Sequence, residues 1–316
     1  MTYVTGGLIQ AADYNGFNGN VNAVWNTSYG QSATGNITVG SRINANSWAN
    51  LNSQVSNSAS HQGTAITTRA NPQIGNTITV LNNLGNDIAS INTNKFNAST
   101  QGTQYTGWTG SASATSGAGT GNAAWTLTFT DTVTFANTSA ANYFFNAGAT
   151  IKIQFSKTST GNTADTIWNT LVNSTAGTIY LSSTGASKTI NGVTYTGTTK
   201  IGGNGTPTVL ATSTGFAQLT STPTIIYKQF PSSYTYSGNY VQITAAYTAP
   251  ILTLVTTWSS TSGNTAVNIT GGTATTGISF GTAPATVVTY FPPATTYLAN
   301  TWGTPLVAST VSGGVY

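Results

Sequence analysis

From Ala123 onward one pattern recurs. Trp125, Leu127 and Phe129 alternate with Thr126, Thr128 and Thr130, and Val133 and Phe135 follow Asp131 in the same phase. A period of two sends successive side chains to opposite faces, so each such run predicts a half-buried strand. The best-defined stretch is 143–156. It opens on Tyr143, Phe144 and Phe145, turns through Asn146, Ala147 and Gly148, and then alternates Ile151, Ile153 and Phe155 with Lys152, Gln154 and Ser156. Asn and Gly suit such a turn because they tolerate positive φ, and the apolar row beyond it should anchor a β core. Further strands are predicted over 178–182, 189–195 with a turn at Gly192, 198–201, 224–230, 240–247 and 251–258, and 216–219 is a short apolar run. One segment breaks the pattern. Ile167, Trp168, Leu171 and Val172 share a helical face, and Asp165 precedes them where a carboxylate favours a helix start. The reading is an antiparallel β-sandwich or barrel-like domain carrying one short helix.

Charge narrows what surrounds this core. Charged residues make up 4% of the 316 positions, with eight cations, four aspartates and no glutamate, against about 25% in an ordinary soluble domain. Disorder usually accompanies few aromatics and high net charge; here aromatics reach 10% and the net charge is +4. A β-rich chain whose surface is shared within an assembly explains the composition better. The cations are scattered, so the basic balance forms no phosphate-neutralising patch and nucleic-acid binding is not expected. Cysteine is absent, which removes disulfides and thiolate metal sites. Met1 to Gln10 lacks the basic and apolar parts of a secretory leader. No run approaches the ~18 apolar residues of a membrane helix.

Residues 1–98 are different. Ile9, Ala11, Tyr14, Phe17 and Val21 reappear at a constant offset as Ile43, Ala45, Trp48, Leu51 and Val55. Spacings of three and four from the aromatic onward describe one face of an amphipathic helix. Asn44 is a plausible N-cap for the second copy, and Ile78, Leu81, Leu84, Ile88 and Ile91 suggest a third, degenerate unit. The chain is therefore divided into a helical region with an internal repeat (1–98), a Gly/Ser/Ala-rich linker (99–122), a β-sandwich domain (123–258) and an extended C-terminal β segment containing aromatics and proline (259–316). The N-terminal region reads either as a small helical domain or as an attachment module, for which Ile9, Tyr14, Phe17, Val21, Ile43, Trp48, Leu51 and Val55 are the assembly candidates.

Signals for catalysis are weak. The single histidine, His61, reads as a helix C-terminal residue. The four carboxylates are Asp13, Asp87, Asp131 and Asp165, of which only Asp131 and Asp165 share a predicted domain; a glycosidase needs a close pair. No nucleophile elbow is present, the IGGNG run at 201–205 lacks the lysine of a phosphate loop, and acidic oxygens are too few for a calcium site. An enzyme is not expected, nor any cofactor, metal or catalytic residue. Tyr234, Tyr236, Tyr290 and Tyr297 are candidates for stacking on a glycan, although core packing is the commoner use of such rings.

GGLIQAADYN (6–15), INANSWANLNSQV (43–55) followed by HQG (61–63), YFFNAGATIKIQFS (143–156), NTLVNSTAGTIYL (169–181), GFAQLTSTPTIIYKQF (215–230) and YVQITAAYTAPILTLVTTW (240–258) together resemble virion structural proteins of tailed bacteriophages. The likeness is to fibre-like tail, neck or baseplate proteins of the marine and cyanophage type. That resemblance implies a virion component, assembled in the host cytoplasm and multimeric, with a homotrimer as the usual state. It implies partners among other virion proteins through the N-terminal region, and no catalytic residues. The alternatives are a glycan-binding tip that contacts the host surface, and a collar or capsid decoration protein.

Overall fold

The computed structural model describes residues 9–71, 81–105, 111–113, 125–158, 163–232, 237–260 and 285–314. Three helices open the chain: α1 (Ala11–Trp25), α2 (Ala45–Gln62) and α3 (Leu81–Thr93). Asn44 caps α2 as its side chain predicts, with Oδ1 accepting from Ser47 N at 2.8 Å. Gly63 closes the helix in the left-handed conformation at φ 70°. The repeated aromatics meet: Tyr14 and Trp48 pack edge to face, with ring centroids 5.2 Å apart. A face of α1 that the apolar pattern does not reveal is polar. Asn15, Asn18 and Asn22 fall at helical spacing and clamp the connector that follows. Asn15 exchanges two hydrogen bonds with the backbone of Ile37, Asn22 exchanges two with Thr34, and Asn18 donates to Thr34 O. Side-chain amides here do the work of a backbone ladder, which is one use of so many asparagines.

The rest is mainly β, as the alternation predicts. The strands are β1 (Ser111–Ser113), β2 (Trp125–Thr134), β3 (Thr150–Ser156), β4 (Thr178–Leu181), β5 (Ser187–Ile190), β6 (Val193–Thr196), β7 (Thr198–Ile201), β8 (Val209–Leu210), β9 (Thr224–Gln229), β10 (Tyr240–Thr248), β11 (Ile251–Ser260), β12 (Ala285–Phe291) and β13 (Leu306–Gly314). Two antiparallel sheets form a sandwich, ordered β1-β12-β3-β4-β7 and β13-β2-β11-β10-β9-β8, with β5 and β6 as a separate hairpin. Ile151, Ile153 and Phe155 of β3 and Leu252, Leu254 and Trp258 of β11 are buried. Trp258 stacks on Trp168 with centroids 5.7 Å apart. Trp168 lies on the expected short helix, α5 (Thr163–Thr170), which runs into a π-helical turn at Leu171–Thr175.

Three segments take a form that their local composition does not give. Tyr143, Phe144 and Phe145 end a helix, α4 (Thr138–Asn146), capped by Asn137, whose Oδ1 accepts from Ala140 N at 2.9 Å. Ala140, Ala141, Phe144 and Phe145 form its buried side, so burial on one helical face overrides the strand preference of the aromatics. Residues 216–218 form a 3-10 turn. The described part of the 99–122 linker is stitched down. Ser99 N donates to His61 O, Gly102 N to Pro292 O and Tyr105 N to Tyr290 O, and β1 pairs with β12. The bonds to Pro292 and Tyr290, together with β1, cover the edge of β12 that would otherwise be left open.

The C-terminal segment belongs to the sandwich. β12 sits between β1 and β3, and β13 pairs along β2. Pro292 and Pro293 fall just beyond β12, where a missing N–H costs no ladder bond. Weak strands expected around Val267, Ile269, Ile278 and Phe280 lie outside the described residues. A continuous apolar core runs from Tyr14 of α1 through the sheets to Trp302, so the helical region is seated on the β region.

Candidate assembly surface

The seat is built from a few groups in the connector after α1 and at the end of α2. Gln31 exchanges two bonds with Ala299, Nε2 donating to its carbonyl and Oε1 accepting from its amide, both at 2.9 Å. Thr301 Oγ1 donates to Tyr29 O at 2.8 Å. The Tyr29 hydroxyl donates to Lys95 O at 2.7 Å and accepts from Gln62 Nε2. His61 stands in the last turn of α2, as expected, but is buried. Its Nε2 lies 3.0 Å from Ala147 O. A carbonyl can only accept, so the neutral ring carries its proton on Nε2. Burial lowers the His61 pKa to about 4, partly offset by that bond.

The apolar residues of the repeat are mostly spent inside this construction. Tyr14, Val21, Trp48, Leu51 and Val55 are buried; Ile9, Phe17 and Ile43 are partly buried against the same core. As candidate contacts the first five are corrected to internal packing, because the two copies bury their apolar faces largely against each other and α3. What the repeat leaves open is a cleft of about 500 Å³ at its N-terminal end. The first turn of α1 (Gln10, Ala11 and Ala12) forms one wall, and the entry into α2 (Val39, Arg42 and Ile43) forms another. Trp48 also lines it. Val39 is 88% exposed. Neither Arg42 nor Val39 carries a sequence signal of its own; only the juxtaposition of the two repeat copies makes them neighbours.

A second cleft of about 370 Å³ lies beside α2, with Asn52, Ser53, Asn57, Thr67 and Arg69 in its walls. Arg69 is ion-paired with Asp87, which also accepts from Thr67 N. Arg69 is therefore held as part of the wall.

Of the glycan candidates, Tyr290 is corrected. It is 1% exposed, its ring stacks on Tyr105 at 4.7 Å, and its hydroxyl donates to Pro305 O at 3.2 Å. As part of β12 it belongs to the sandwich. Tyr297 remains 40% exposed, and Tyr234 and Tyr236 lie outside the described residues. Asp131 is buried on the inward row of β2 with Leu127, Phe129 and Val133. It accepts from Ser309 Oγ of β13, while Oδ2 has no partner among the described residues. Burial raises its pKa to about 7, against the opposing effect of the Ser309 bond. A carboxylate so enclosed is out of reach of a substrate, and the Asp165 side chain lies outside the described residues. Among the described residues no group of three or more His, Cys, Asp or Glu is placed to hold a metal, and no helix is long and apolar enough to cross a membrane.

The six-stranded sheet turns a different surface outward. Thr128, Thr130 and Thr132 of β2 stand beside Thr257, Val255 and Thr253 of β11 and beside Ser312, Thr310 and Ala308 of β13. Gln242 and Thr244 of β10 continue the rows, and no charge enters them until Lys228 of β9. Asp87, Asp131, Lys157 and Lys188 are buried, which thins the surface charge further. No protein-family model matches the chain, and no curated protein or solved structure is significantly similar to it.

Proposed function

We propose that the protein is a structural component of a tailed-phage virion, a tail or neck fibre-like appendage, multimeric and held to the particle through its helical region. The observation that carries this reading is the uncharged threonine face of the six-stranded sheet. A monomeric surface usually carries dispersed charge for solubility, whereas a face covered by another copy gains nothing from it. The phrase resemblance supplies the particle, and the homotrimer is the state that resemblance implies. Removing residues 1–60 would be a poor test, because it also strips Tyr29 and Gln31 from their places against Thr301 and Ala299. The full chain is the right material. Its peptides should be present in purified particles of the phage that encodes it, and its light-scattering mass should be a multiple of the monomer. Thr130→Lys should lower that mass while leaving the circular dichroism spectrum unchanged. A monomeric chain absent from particles would overturn the reading.

A further inference from the structure

An asparagine followed by glycine carries a built-in reaction. The glycine nitrogen can attack the side-chain Cγ one residue back, because no side chain crowds it. The chain holds four such pairs: Asn15–Gly16, Asn18–Gly19, Asn191–Gly192 and Asn204–Gly205. The fold disarms three of them. Asn15 and Asn18 lie inside α1, where helix bonding engages the Gly16 and Gly19 amides, and their side chains are held by Ile37 and Thr34 respectively. The Gly205 amide donates to Thr175 O at 3.2 Å. The fourth pair is left open. Asn191 and Gly192 form the two-residue turn between β5 and β6, with φ 49° and 75°, the positive pair that a type I′ turn requires. Both are exposed. Neither the Asn191 side chain nor the Gly192 amide has a hydrogen-bond partner among the described residues. A Cβ added to Gly192 would meet nothing within 4 Å, so the link has room to turn into the attacking geometry.

We propose that Asn191 is a site of spontaneous covalent modification, converting to isoaspartate and aspartate and loosening the joint that its hairpin clasps. The Gly192 nitrogen gives up its proton to solvent base and bonds to Asn191 Cγ. The side-chain nitrogen leaves as ammonia, taking a proton back from solvent, and a five-membered succinimide remains. Water then opens the imide. Addition at Cγ restores the original main chain as aspartate; addition at the Asn191 backbone carbonyl gives isoaspartate, whose main chain runs through the former side chain. That second product adds one methylene to a turn that fits only two residues. The turn closes a clasp. Asn191 N donates to Ala98 O at 2.8 Å, Ala98 N donates to Thr189 O at 3.0 Å, and Thr189 N donates to Asn97 Oδ1 at 3.0 Å. Residues 97 and 98 lead out of the helical region, so a lengthened turn weakens its fastening to the hairpin. Either product also adds a carboxylate to a chain that has four. The inference does not depend on the virion reading.

The test ages the purified full chain in mildly alkaline, ammonium-free buffer and maps it by mass spectrometry after digestion at acid pH. The peptide containing Asn191 should gain the amide-to-acid mass as two chromatographic species, one of them labelled by protein isoaspartyl methyltransferase. The other three pairs should react about tenfold more slowly or less, because local opening must first free their amides. Asn191→Gly keeps an allowed type I′ turn and should remove the signal. Amide hydrogen exchange at Ala98 should quicken in the aged chain. It should not quicken in aged Asn191→Gly, nor in fresh Asn191→Asp, which carries the charge without the added methylene. No reaction at Asn191, or equal reaction at all four pairs, would overturn the site. An unchanged Ala98 rate in chain labelled as isoaspartate, or an equal rise in Asn191→Asp, would overturn the loosened clasp.

Discussion

Gly30 and Gln31 join the helices to the sandwich, and they do so by shape as much as by bonding. Gly30 has φ 68°, and a Cβ added there would fall on the Tyr143 ring and close to Thr301 Oγ1. Only a residue without a side chain fits both constraints. Gly30→Ala should therefore cost about 2–3 kcal/mol through backbone strain and the displaced ring. Urea denaturation would measure it, and an unchanged midpoint would show that the seat is looser than its geometry. Gln31 is a different case. Its amide copies a β-bridge to Ala299, so Gln31→Ala should cost about 1–3 kcal/mol because Ala299 loses both partners. Neither residue is marked in the sequence. Their roles depend on 299–301, some 270 positions away, and no local pattern encodes that.

At the scale of elements, the contrast is between α1 and β2. In β2 the alternation of Leu127, Phe129 and Val133 with threonines was enough to place the strand, because one face is buried and a shift by one residue would expose it. The apolar face of α1 was equally legible. The asparagine face was not, because Asn15, Asn18 and Asn22 look like ordinary helix-surface residues until the connector is laid against them. Asn15→Ala should speed hydrogen exchange of the Ile37 amide, which loses its acceptor, while amides within α1 keep their protection. Uniform loss of protection across α1 would mean that the clamp holds the helix and not the connector. The helix α4 and strand β1 are not legible in the sequence, for opposite reasons. Phe144 and Phe145 have strand propensity but sit on the buried face of a capped helix. Ser111–Ser113 have loop composition but meet the open edge of β12. Pairing and packing decided both against local preference. The cleft at the repeat's end was illegible for a related reason: Arg42 became a neighbour of the α1 start only after the copies packed.

For the whole molecule, two buried groups act in opposite directions on stability. His61 at the helical seat and Asp131 between the sheets are far apart in function but titrate over nearly the same range. The folded-state pKa of His61 is depressed to about 4 from 6.5. Between those values the unfolded chain holds a proton that the native chain lacks, so stability is lost as pH falls from 6.5 to 4. The folded-state pKa of Asp131 is raised to about 7 from 3.8. There the native chain holds the extra proton, so stability is lost as pH rises from 3.8 to 7. Each effect is on the order of 3–4 kcal/mol when complete, and over pH 4–6.5 they should largely cancel. Lys188, lowered to about 8 by burial, acts only above this window. The wild-type unfolding free energy from these groups should thus change little between pH 4.5 and 6. Asp131→Asn should unmask the His61 slope, with stability falling toward pH 4. His61→Gln, which keeps a donor for Ala147 O, should unmask the Asp131 slope, with stability falling toward pH 7. Urea titrations at several pH values would show the two variants diverging with opposite signs; parallel profiles for all three proteins would mean that neither group is held as the geometry requires.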